Sequence, residues 1–122
     1  MESMVGKTFT SVEMNADRDE ILFVTDAGEQ YKMYHQQDCC ERVTVEDIVG
    51  DLDDLVGSPI LIFEERASHE EEALMPDYRS ETWTFYEFAT VKGSVTIRWY
   101  GTSNGYYSEN VSFEKIAGVV ER

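Results

Sequence analysis

Residues Glu81–Ser112 read ETWTFYEFATVKGSVTIRWYGTSNGYYSENVS, and the alternation within them decides the fold. In an extended chain successive side chains point to opposite faces, and β-branched and aromatic residues favour that state. Trp83, Phe85 and Glu87 therefore share one face, and Thr84, Tyr86 and Phe88 the other. Lys92-Gly93 interrupts the run and turns it back. On the return, Val95, Ile97 and Trp99 face one side while Thr96, Arg98 and Tyr100 face the opposite one. Gly101–Gly105 (GTSNG) reads as a second turn, followed by Tyr106, Tyr107 and a third strand to about Phe113. The expectation is a three-stranded meander with Trp83, Phe85 and Trp99 in its packed face.

Upstream, the same patterns recur. Residues 7–15, 20–25 and 29–35 read as three strands, joined by a polar turn at 16–19 and by Asp26-Ala27-Gly28. Tyr31, Met33 and His35 fall on one side of the third. After a loop at 36–40, residues 41–48 alternate again, and Asp51–Val56 allows one or two helical turns before Gly57 and Pro59 stop them. Pro59 opens a strand, PILIFEE, where its missing N–H does least harm. Residues 66–80 are acidic and unpatterned and read as a mobile loop. A short helix or frayed tail is expected after Phe113. The fold class is α+β, mostly antiparallel β-sheet, with about seven strands in meanders and one or two short helices. The 122 residues fit a single ligand-binding domain spanning 1–122.

Charge narrows the function. With 25 acidic against 10 basic residues the net charge is −15, which repels polymeric nucleic acid and anionic membranes, since both require clustered Lys and Arg. No apolar run approaches the roughly 18 residues of a membrane span, and the first ten residues lack the pattern of a signal peptide. A cytoplasmic protein is the default. The adjacent Cys39 and Cys40 provide no disulfide framework and suit a reducing compartment.

Catalytic motifs are missing: the chain has no GxSxG, HExxH, P-loop or GxGxxG. His35, Asp38, Cys39 and Cys40 lack zinc-ligand spacing, and two small buried residues beside a capping Asp describe the cysteines better. The acids Glu46, Asp47, Asp51, Asp53 and Asp54 lack the order of a calcium loop and read as a solvated face. No metal, no cofactor and no enzymatic activity are expected. Binding remains. Tyr86, Arg98, Tyr100, Asn104, Tyr106 and Tyr107 supply what a purine-nucleotide pocket uses, because rings stack on bases and Arg forks onto phosphate.

YHQQDCCERVTVEDIVGDLDDLVGSPIL, followed by TWTFYEFATVKGSVTIRWYGTSNGYYSENV, resembles the phage-encoded anti-Thoeris sponge family, the first Thoeris anti-defence type. The similarity covers roughly Tyr31 to Val111 and is most distinctive at DCCE, EDIVGDL and TIRWYGTSNGYYS. The resemblance implies a non-catalytic protein that sequesters cyclic ADP-ribose isomers made by TIR proteins, keeping the defence NADase off. It also implies a dimer or larger homo-oligomer with ligand held between protomers, and in some members capture of cyclic oligonucleotide signals of CBASS-type defence.

The residues are chemically compatible with such a ligand. Arg98, with Arg79, would pair the phosphates; Tyr86, Phe88 or Tyr106 would stack on adenine; Asn104 and Thr96 would bond ribose hydroxyls. Tyr100 and Tyr107 complete the candidate set. The alternative is an acidic protein-interaction module or mimic that blocks a defence protein directly.

Overall fold

Hydrophobic alternation yields two antiparallel four-stranded sheets, eight strands where about seven are expected. A single 3-10 turn among the described residues stands where an α+β fold with one or two short helices is expected. The computed structural model describes residues 4–38, 40–72, 79–103 and 108–117. Its strands are β1 (Phe9–Met14), β2 (Glu20–Thr25), β3 (Gln30–Tyr34), β4 (Arg42–Val49), β5 (Ile62–Glu72), β6 (Arg79–Thr90), β7 (Gly93–Ser103) and β8 (Ser112–Ala117). One antiparallel sheet has the order β1-β2-β3-β8 and the other β4-β7-β6-β5. The opening meander and the 20–25 strand lie where the sequence puts them. A single 3-10 turn at Leu52–Leu55, capped by the Asp51 carboxylate on the Asp53 N–H at 2.9 Å, is the only helical element among the described residues.

Two expectations are corrected. The strand after GTSNG does not extend the β6–β7 meander. The free side of β7 is already paired with β4, so the returning chain finds no edge there and crosses to pair with β3 in the other sheet. Residues 114–117, read as a helix or tail, therefore continue β8. The second correction concerns 66–80. Residues 66–72 continue β5 and 79–80 begin β6, in register from Arg66↔Phe85 to Glu72↔Arg79; residues 73–78 lie outside the described ones. β5 is an edge strand, and its Glu64, Glu65 and Arg66 blunt an otherwise open pairing edge.

The sheets meet through aromatic rings. Phe9 and Phe23 from one sheet face Phe88 from the other, with Phe23 and Phe88 stacked at 5.5 Å. Phe113 of β8 sits among rings of both sheets, 5.0 Å from Phe23, 5.8 Å from Tyr86 and 5.9 Å from Phe63. Trp99 is fully buried and directs its indole N–H at the Met33 sulfur, 3.1 Å away. Each tilted ring pair adds to the burial term already gained by removing these side chains from water.

One charged cluster ties the ends of three elements. Glu29, between β2 and β3, accepts from Lys115 Nζ at 3.0 Å and Lys7 Nζ at 3.1 Å. Those amines, Lys115 foremost, hold the Glu29 carboxyl below the ordinary glutamate value.

Two outcomes are expected. Phe113→Ala should lower unfolding free energy by about 3–5 kcal/mol in denaturant titrations; a loss under about 1 kcal/mol would mean the sheets are held elsewhere. The Glu29 contribution is present above the unfolded-state value near 4.5 and is lost as pH falls through the lower folded value. Glu29→Gln should therefore shrink the drop in Tm between neutral and acid pH, and an unchanged drop would contradict that role.

Candidate ligand-binding face

The inner face of the second sheet is consumed by packing, so its chemistry lies on the outer face. There β7 presents Thr96, Arg98 and Tyr100, each half-buried, while Val95, Ile97 and Trp99 point inward. The two-residue turn at Val91-Lys92 sets the pairing with β6, placing Phe85 opposite Arg98 and Trp83 opposite Tyr100. The Trp83 and Tyr100 rings are 5.3 Å apart and inclined by 44°. Tyr100 donates its hydroxyl to Glu81 at 3.0 Å, which fixes its ring. The Arg66 guanidinium lies 5.8 Å from the Phe85 ring. Three aromatic side chains and two guanidiniums thus share one open face.

Arg98 is not free on that face. Its Nε lies 2.8 Å from Glu46 Oε1, an ion pair without hydrogen-bond geometry, and its Nη2 lies 3.9 Å from Asp47 Oδ2. Two consecutive residues reach the same arginine because the β4 register slips between Val45 and Asp47, leaving Glu46 as the extra residue of a bulge. The bulge is held from the other sheet. Arg18, at φ 59° in the β1–β2 turn, donates from Nε to the Val45 carbonyl at 3.0 Å and accepts the Val45 N–H at 2.7 Å.

Of the residues expected to bind, Thr96, Arg98 and Tyr100 are brought together here. Tyr86 and Phe88 are not: both are fully buried, on the face of β6 that packs against Phe113. Burial, and after it the nearby Glu65 carboxylate, push the Tyr86 phenol far above its ordinary range, and its hydroxyl has no hydrogen bond of good geometry. Arg79 pairs with Glu72 through its backbone on the β5–β6 hairpin. Asn104, Tyr106 and Tyr107 lie outside the described residues. The sequence reading placed Trp83 and Phe85 in the core, whereas they stand half-buried on the outer face. The signal was available: alternation alone puts them opposite Tyr86 and Phe88, and the turn then pairs them with the arginine face.

A protein family described as a domain of unknown function, DUF7448, matches residues 2–113. The chain belongs to the DUF7448 family. No curated protein and no solved structure matches it.

This DUF7448 chain contains two polar networks that sequence reasoning missed. Glu41 and Glu109 are its buried carboxylates among the described residues, and a histidine is linked to each. His35 lies between two acceptors, with Nδ1 2.6 Å from the Asn110 carbonyl and Nε2 2.7 Å from Glu41 Oε2. The carbonyl can only accept, so at that contact the Nδ1 N–H donates. Glu41 also accepts the Asp38 N–H at 2.9 Å. At the other network, Thr82 and Ser103 donate hydroxyls to Glu109, and the Thr82 oxygen, 2.8 Å from His69 Nδ1, accepts from that ring. Glu109 reaches this position because Gly101 has no side chain: a Cβ there would come within 2.9 Å of Glu109 Cβ.

His35 is committed to Glu41 and Asn110, and no group of three potential metal ligands occurs among the described residues. Cys40, expected to be buried, is exposed. Cavities of about 440 and 720 Å³ flank His35 and Glu41, but acids line them, including Asp38 in the first and Asp17, Asp19 and Glu20 in the second. Such walls oppose an anionic ligand. No helix among the described residues is long and apolar enough to cross a membrane.

Glu41→Ala would take from the buried His35 side chain its Nε2 partner and from the Asp38 N–H its acceptor. The expected loss is about 1–3 kcal/mol of unfolding free energy. A loss within about 0.5 kcal/mol, typical of a plain surface substitution, would contradict a buried pair.

Proposed function

We propose that the protein is a non-catalytic binder that sequesters cyclic ADP-ribose isomers on the outer face of the β4-β7-β6-β5 sheet. One observation carries the reading: strand alternation in β7 and its register with β6 gather Arg98, Thr96 and Tyr100 beside Trp83 and Phe85. The ligand combines a pyrophosphate, an adenine and two riboses. A guanidinium suits the first, ring faces the second, and a threonine hydroxyl the third. The resemblance to anti-Thoeris sponges supplies the ligand's identity, inhibition of Thoeris defence in an infected bacterial cytoplasm, and capture of cyclic oligonucleotides as a second property. It also supplies the assembly. A second copy over this face would double its arginines and exclude water, which a shallow surface alone does not do.

Function in this reading needs no turnover. Calorimetry with cyclic ADP-ribose isomers should give tight binding near one ligand per protomer, and mass spectrometry after heating should recover the signal intact. Arg98→Ala should weaken binding at least about tenfold, the scale of one charge-assisted hydrogen bond. Binding unchanged in that variant would remove the face from the account. An absence of heat with every isomer would favour instead the acidic interaction module, to which the net charge of −15 is suited. Degraded signal would indicate an enzyme.

A further inference from the structure

We infer that Glu46 and Asp47 set what the outer face accepts. They pair with Arg98, so a phosphate group by itself is held about tenfold more weakly than by a free guanidinium, and a ligand is retained when a planar ring also stacks on the adjoining aromatics. The inference rests on the ligand face proposed above and adds its selectivity.

The geometry is specific. In a regular strand residues 46 and 47 would point to opposite faces, and only one could meet Arg98. The bulge turns both toward it, at 2.8 Å and 3.9 Å. The bulge is not a loose end of β4, since Arg18 occupies its carbonyls, reaching Val45 at 3.0 Å and Glu46 at 3.5 Å, and the Val45 N–H returns to the Arg18 carbonyl. These contacts use the Glu46 backbone, leaving its carboxylate for Arg98.

The clamp is displaceable. Side-chain exposures of 40% for Arg98, 39% for Glu46 and 52% for Asp47 mean that water screens both pairs. Pairs so exposed are worth at most about fivefold each, so together they lower affinity for a competing anion by on the order of tenfold. Stacking of one base on Trp83, Tyr100 or Phe85 is of comparable or larger size. A nucleotide-like ligand can therefore overcome the clamp, whereas free phosphates, abundant in any cell, lack the ring that would do so.

The test is calorimetry of inorganic pyrophosphate and adenosine against three proteins: the unaltered chain, Glu46→Gln/Asp47→Asn, and the same variant carrying Arg98→Ala. The double variant should bind pyrophosphate about tenfold more tightly than the unaltered chain, with adenosine unchanged, and Arg98→Ala should abolish the gain. Equal pyrophosphate affinity in the first two proteins, including no binding to either, would overturn the inference. So would a gain that survives Arg98→Ala. All the altered side chains are partly exposed, and matching melting curves confirm an intact fold. A gain through Arg98 stands even if no cyclic ADP-ribose isomer binds, so failure of the ligand reading and failure of the clamp are separable.

Discussion

Phe113 is the ring on which the two sheets agree. It belongs to the last strand, yet its contacts span Phe23, Tyr31, Phe63, Tyr86 and Phe88, drawn from both layers. That position exists because the chain leaves β7 and crosses to β3. Once the crossing is made, the inner surface of β6 and β7 is filled with rings and removed from water. Any aromatic side chain left for recognition must then lie on the outer surface. The site is thus a consequence of the core.

Most of the strand pattern was legible in the sequence. Period-two alternation located β1–β3, β4, β6 and β7, because one face of each is apolar and the other is not. The failures have physical causes. β5 beyond Glu65 runs RASHEEE and reads as a loop, since an edge strand can be polar when its partner supplies the pairing. β8 was hidden because pairing across sheets depends on which edge is free, a property of the assembled fold and not of residues 112–117. Tyr86 and Phe88 have the chemistry of ligand contacts, but they share the face of β6 that the core claims. Trp83 and Phe85 are the converse case.

Local and overall electrostatics pull in opposite directions. The chain carries a net charge of −15, and its cavities near His35 are acidic. On the outer face, Arg98 and Arg66 stand among rings, but Glu46 and Asp47 cancel much of the first. In the proposed reading such a face selects on the combination of plane and charge, and the bulge in β4 is the backbone feature that brings both carboxylates to Arg98. The buried Glu41 and Glu109 networks act elsewhere, tying His35 to Asn110 and Glu41, and Glu109 to Thr82 and Ser103.

The two tryptophans permit a direct test, because Trp83 stands on the outer face and Trp99 is sealed in the core. Intrinsic fluorescence during titration with a cyclic ADP-ribose isomer reports ring contact at the former and not the latter. Quenching that saturates with ligand and disappears in Trp83→Phe is the predicted result. Quenching of equal depth in Trp83→Phe, or bound ligand with no change in fluorescence, would contradict a ligand face built on β6 and β7.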